Sequence, residues 1–275
     1  MNQSSINSIP EYHDIKALVE QGRDPQRIFR VALTIYKRKL EESLILNRIL
    51  KVKSGLFKGL IIKATEKSSS IFPKLQGTYE KELQNLIERN AIGVDCFLNI
   101  GCADGFYLTG IANWLKIKSI GIDIDPYFSG IINELAIINK IDSLVSYKSS
   151  INSSLRSCKG KLMVLIDVDG NEMEVINQLN SAINSMKKVS EILLFVESDF
   201  SMNGEENTSE IIKQLINSGY KINEIQKQCN AYRFNESLPE ITFNNGAKLS
   251  FIDKAVLGTE SRRGGQCWIM ATKHI

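Results

Sequence analysis

Carboxylates close several of the short apolar runs in the middle of this 275-residue chain. One run ends in Asn99-Ile100-Gly101-Cys102-Ala103-Asp104-Gly105 and the next in Asp123-Ile124-Asp125. Later runs end in Asp167-Val168-Asp169-Gly170-Asn171-Glu172 and Glu197-Ser198-Asp199, while Lys148-Ser149-Ser150 closes another. If the runs are strands of one parallel sheet, these ends share a rim, and ligands of open α/β sheets bind beyond the carboxyl ends of strands. Like charges gathered there repel unless a cation or hydrogen-bond donors meet them. A ligand carrying both suits such a rim.

Residues 95–126 read as one nucleotide-binding unit. Cys96, Phe97, Leu98 and Ile100 lead into Gly101 and Gly105, and only residues without a Cβ let backbone pass close beneath a ligand. A second apolar run, 119–122, ends in Asp123, which is placed to accept hydrogen bonds from two ribose hydroxyls. A dinucleotide site needs G-x-G-x-x-G to hug a pyrophosphate. Here the spacing is Gly101-x-x-x-Gly105, with Gly110 further along, and Asp104 at the turn would repel a diphosphate. A carboxylate suits an amino group and a sulfonium instead, which points to S-adenosylmethionine (SAM) rather than NAD.

The elements that must position these residues follow from periodicity. Residues 12–22 and 24–51 carry helical patterns, the second opened by Asp24-Pro25, and β-like stretches lie around Leu56 to Lys63. Residues 1–74 therefore read as a helical and hairpin cap, useful for dimerisation or for roofing a site. Beyond residue 77 the pattern alternates. Strands are predicted at 95–100, 118–123, 143–148, 161–167, 191–196, 221–225 and 267–272, with helices at 79–90, 105–116, 128–139, 171–186 and 208–218. The run 161–167 is almost continuously apolar, as in a parallel strand covered on both faces. Residues 75–275 thus form an α/β unit with a doubly wound, mostly parallel sheet. Its long irregular insert, 226–265, is the candidate substrate cover.

Composition bounds the rest. Hydrophobic residues make up 43% and charged residues 24%, and the net charge of +3 is too small to argue for nucleic acid or an anionic membrane. Five cysteines (Cys96, Cys102, Cys158, Cys229 and Cys267) contain no C-x-x-C pair and read as reduced, buried small hydrophobes. With only His13 and His274 besides, no Cys/His zinc site is expected. No apolar stretch approaches a membrane span and no signal peptide opens the chain, so the expected location is cytoplasmic.

The Asp167–Glu172 phrase superficially resembles a calcium loop but lacks the third ligand and the distant glutamate. A magnesium clamp of Asp167 with Glu197 or Asp199 is chemically reasonable. The plainer reading makes Gly170 the turn, with Asn171 and Glu172 capping the next helix. No metal is expected.

Gly101–Tyr107, Ile122-Asp123-Ile124-Asp125-Pro126 and above all Leu165–Glu172 resemble class I SAM-dependent methyltransferases. Within that class they are most similar to FkbM-type enzymes, whose fourth strand ends in a K-I-D-V-E-G-x-E phrase; Gly77-Thr78-Tyr79-Glu80-x-Glu82-Leu83 adds to the likeness. The resemblance covers roughly 54–200 and, more weakly, Arg262–Trp268. It implies a seven-stranded, Rossmann-like methyltransferase fold and SAM-dependent O-methylation of a small-molecule hydroxyl, of sugar or natural-product type. The implied cofactor-binding residues are Asn99, Gly101, Cys102, Ala103, Asp104, Gly105, Tyr107, Asp123, Ile124, Ser150 and Asp167. Asn99 stands where an acid is usual, which shifts contacts with the methionine ammonium to backbone and Asp104. After strand five, relatives often carry a His-Asp pair, but this chain has Glu197-Ser198-Asp199. The candidate catalytic residues are therefore Asp167, Glu197 and Asp199, one of them the base that takes a hydroxyl proton. Arg262 and Arg263 are candidates to orient an anionic acceptor, or belong to a solvated loop. The expected partner is a small-molecule methyl acceptor, without nucleic acid or membrane, in a possible homodimer. No (D/N)-P-P-(Y/F) phrase of amino-directed nucleic-acid enzymes follows strand four. An NAD-dependent oxidoreductase and a non-catalytic SAM-fold interaction module are the alternatives.

Overall fold

In the computed structural model, residues 10–45, 48–65, 67, 68, 70–183, 188–199, 207–228, 249–260 and 266–275 are described. The chain opens with α1 (Pro10–Glu20) and α2 (Pro25–Ile45), followed by an antiparallel hairpin of β1 (Ile49–Lys51) and β2 (Ile61–Lys63). Helices α3 (Ile71–Gln76) and α4 (Lys81–Asn90) lead into the alternating region. There β3 (Cys96–Ile100), α5 (Phe106–Leu115), β4 (Lys118–Ile122), α6 (Tyr127–Ile138) and β5 (Val145–Lys148) form the first half. The second half runs through α7 (Ile151–Leu155), β6 (Gly160–Ile166), α8 (Glu172–Ile183), β7 (Val189–Ser198), α9 (Thr208–Asn217) and β8 (Lys221–Lys227). Helix α10 (Phe251–Leu257) and β9 (Cys267–His274) complete it.

The seven strands of the main sheet lie in the order β5-β4-β3-β6-β7-β9-β8. Neighbours from β5 to β7 are parallel, whereas β9 pairs antiparallel with both β7 and β8. The chain winds outward from β3, then returns to β6, so the switch point falls between those two strands. Ligand crevices of doubly wound sheets open there.

Side chains alternate across the sheet with period two. Phe97, Met163, Leu165, Leu193 and Phe195 face one apolar layer, which also takes in Leu40, Leu44, Phe57 and Leu60 from the N-terminal segment. Leu98, Leu162, Val164, Ile192 and Leu194 face the other, under α8 and α9. The hairpin is tied to α6 by Asn139, whose side chain accepts from Ile61 N and donates to Ile61 O, both at 2.8 Å.

Three features depart from expectation. Helix α2 ends at Ile45 rather than near residue 51, because residues 49–51 pair with β2. The insert 226–265 is not wholly irregular: β8 extends to Lys227, and Ser250 and Asp253 form a capping box that starts α10. Residues 229–248 and 261–265, with Arg262 and Arg263, lie outside the described residues. Cys96 and Cys158, expected to be reduced, are paired as a disulfide with Cα atoms 5.8 Å apart. Parallel pairing of β3 with β6 brings together two residues 62 apart in sequence. Cys102 and Cys267 are buried free thiols. No helix among the described residues is long and apolar enough to cross a membrane.

Candidate cofactor and acceptor crevice

Where β3 ends, Gly101 turns with φ of 79° and donates to Ile122 O at 2.8 Å. A Cβ on Gly101 would lie 1.7 Å from Asp167 O, so this glycine lets the exits of β3 and β6 touch. That is a different reason from close passage beneath a ligand. Gly105, with φ of 79°, starts α5, and a Cβ there would press on Ile132 of α6 at 2.9 Å. Between them Ala103 holds φ of 41°, a left-handed conformation that costs a non-glycine residue about 1–2 kcal/mol. Its N–H donates to Asp123 Oδ2 at 2.8 Å, which fixes the loop against the tip of β4.

Asp123 accepts from Asp125 N through its other oxygen, at 2.9 Å. Each carboxylate oxygen therefore retains lone-pair capacity toward a ligand. The adjacent Ile124 is 100% exposed, an apolar side chain at the crevice wall that no described residue covers. The Tyr147 hydroxyl donates to Asp123 O at 2.8 Å and steadies the same corner. Lys67 forms an ion pair with Asp125 and sits over the Tyr127 ring.

These tips open on a cavity of about 1040 Å³. Of the residues expected to bind cofactor, Asn99, Gly101, Cys102, Ala103, Asp104, Tyr107, Asp123, Ile124, Ser150 and Asp167 line it; Gly105 does not. Ser150 caps α7, its hydroxyl accepting from Ser153 N at 3.4 Å. Burial pushes the Cys102 thiol far up, with the nearby Asp123 charge adding to it, so Cys102 is a wall and not a nucleophile. Burial likewise raises the Tyr107 hydroxyl, with the nearby Glu80 charge adding to it.

Of the three candidate bases, Asp167 and Glu197 line the cavity and Asp199 does not. Glu197 is buried at the tip of β7 and accepts a hydrogen bond from Gln228 Nε2. The turn after β6 is made by Asp169 and Gly170, both with positive φ, and Glu172 Oε1 accepts from Gly170 N at 2.7 Å. Glu172 is fully buried, and that burial raises its carboxyl pKa despite the hydrogen bonds that oppose the shift. A raised carboxyl pKa means that the ionised form costs folding free energy at high pH, a cost removed as pH falls through the folded-state pKa. Glu172→Gln should therefore melt at or above the wild-type temperature at pH 8, with the gap closing toward pH 5 in thermal denaturation.

Sequence reading missed Lys74, Asn152 and Gln266, all of which line the same cavity. Lys74 lies in a short helix with no recognisable motif. Its ammonium meets Asp104 Oδ2 at 2.7 Å, both side chains being nearly buried. The carboxylate expected to repel a diphosphate is thus already compensated. Removing one partner of such a pair costs about 3–5 kcal/mol.

The strand order, the glycine-bounded loop at the switch point and the acid at the tip of β4 together define the fold of class I SAM-dependent methyltransferases. No protein-family model matches the sequence, and no curated protein matches it. Solved structures of similar architecture include the putative methyltransferase yhhF from Escherichia coli, at 10% identity over 83% of this chain and 99% of that one, with a TM-score of 0.48. Another is geranyl diphosphate C-methyltransferase from Streptomyces coelicolor A3(2), solved with Mg2+, geranyl diphosphate and S-adenosyl-L-homocysteine, at 14% identity over 74% and 82%, with a TM-score of 0.47.

Proposed function

We propose that the protein is a SAM-dependent methyltransferase of FkbM-like type acting on a hydroxyl of a small molecule. The observation that carries this reading is the cavity at the β3/β6 switch point, with half-buried Asp123 and uncovered Ile124 side by side on its wall. A ribose fits the carboxylate and a flat nucleobase fits the apolar side chain. At about 1040 Å³ the space exceeds what a nucleoside alone requires and leaves room for an acceptor.

When bound, SAM supplies an electrophilic methyl group on a positively charged sulfur. The chain's part is alignment, which alone accounts for much of the acceleration of an in-line displacement. The 101–105 loop, pinned by Asp123, orients one partner. Glu197 is our preferred base: buried on the cavity wall with one oxygen engaged by Gln228, it is suited to hold the acceptor's hydroxyl proton. Asp167 is the second choice.

Calorimetry should detect S-adenosylhomocysteine binding in the micromolar range. Labelled methyl transfer from SAM to a panel of hydroxylated sugars and polyketides then tests the acceptor class. Glu197→Gln should lower turnover by about 10²–10⁴-fold while changing S-adenosylhomocysteine affinity less than about threefold. No binding of S-adenosylhomocysteine would remove the reading altogether. Transfer confined to amines would remove its oxygen specificity.

A further inference from the structure

Lys74 carries a nearly buried ammonium on the wall of this cavity, and among the described residues its hydrogen bonding is incomplete. The side chain is 5% exposed. An ammonium has three N–H donors. Among the described residues, Asp104 Oδ2 at 2.7 Å is its one hydrogen-bond partner, while the rings of Tyr79 and Phe106 lie 5.0 and 5.7 Å from Nζ. Aromatic faces offset part of the charge but accept no strong hydrogen bond. Buried donors without acceptors are disfavoured, so an acceptor from a ligand is the natural completion.

Its partner sets the ligand's chemistry. Asp104 follows Gly101 in the loop that the cofactor reading places beneath the methionine portion, and among the described residues its Oδ1 receives only the long 3.3 Å contact from Phe106 N. Lysine and aspartate side by side present one positive and one negative group on one wall. An α-amino acid presents the reverse pair, a carboxylate beside an ammonium. Resting on the SAM reading, we infer that Lys74 and Asp104 together form a subsite for the zwitterionic amino-acid end of the methyl donor, with Lys74 as its carboxylate ligand. Neither Asn99 nor Asp123 can serve that carboxylate as a cation.

The test compares S-adenosylhomocysteine with 5′-methylthioadenosine, which keeps the nucleoside and thioether but lacks the amino acid. Calorimetric titration of the wild-type protein should show a clear preference for the former. Lys74→Met should weaken S-adenosylhomocysteine by about ten- to a hundredfold and leave methylthioadenosine within about threefold, collapsing the preference. Methylthioadenosine binding doubles as proof that the variant is folded. If Lys74→Met alone does not fold, Lys74→Met combined with Asp104→Asn removes the carboxylate that the single change leaves unpaired and should show the same collapse. An unchanged preference, or equal weakening of both ligands, overturns the subsite while the SAM reading stands. Wild-type protein that binds neither ligand overturns both.

Discussion

Asp123→Ala is expected to bind S-adenosylhomocysteine at least about a hundredfold more weakly than the wild-type protein, with little change in thermal midpoint. The reason lies in what this carboxylate already holds. It accepts from Ala103 N at 2.8 Å and from Asp125 N at 2.9 Å, so it organises both the glycine-bounded loop and the tip of β4. Its remaining lone pairs are those proposed to receive two ribose hydroxyls. Charge-assisted hydrogen bonds contribute about 1.5–3 kcal/mol each, and each 1.4 kcal/mol is tenfold in affinity. Folding is less affected because Asp123 is half-buried and water can reach the released N–H groups. Asp123→Asn keeps one acceptor oxygen without the charge and should fall between the two. Calorimetry beside thermal melts reads both quantities, and an affinity that ignores the substitution would remove the ribose assignment.

Gly101→Ala should destabilise the fold itself, by on the order of 3 kcal/mol or more. The added Cβ would stand 1.7 Å from Asp167 O, where the obstacle is backbone rather than a side chain able to rotate away. Positive φ at this residue, 79°, adds a further penalty for any L-amino acid with a side chain. Relief requires β3 and β6 to separate at the crevice, so cofactor binding should fall together with the urea midpoint. Gly130→Ala is the control. Gly130 lies in α6, an added Cβ meets nothing within 4 Å, and its φ is not positive. That variant should be neutral or more stable by up to about 1 kcal/mol. Similar behaviour of the two variants would mean that the approach of Gly101 to Asp167 is not what this glycine is for.

The alternation of apolar runs with helical patterns was enough to place the strands from β3 to β9, since a strand buried on both faces leaves a contiguous signature such as Leu162–Ile166. The acids at the strand tips were legible for the same reason: they follow directly on those runs. Short elements were not. Helices α3 and α7 span six and five residues, too few for periodicity to register. Cys96 and Cys158 read as ordinary buried thiols because nothing local marks a partner 62 residues away.

The chain's own order of residues determined that Gly101, Gly105 and Asp123 would stand at consecutive turns of a βαβ unit, because strand and helix periods and glycine's missing Cβ are local properties. Only tertiary structure decided who meets them. Lys74 reaches Asp104 because α3 packs beside the loop, Glu197 faces the cavity while Asp199, two residues on, does not, and Gly101 is obligatory because β6 passes within contact of it. Each of these depends on distances between segments far apart in the chain, which packing sets and no short-range pattern encodes.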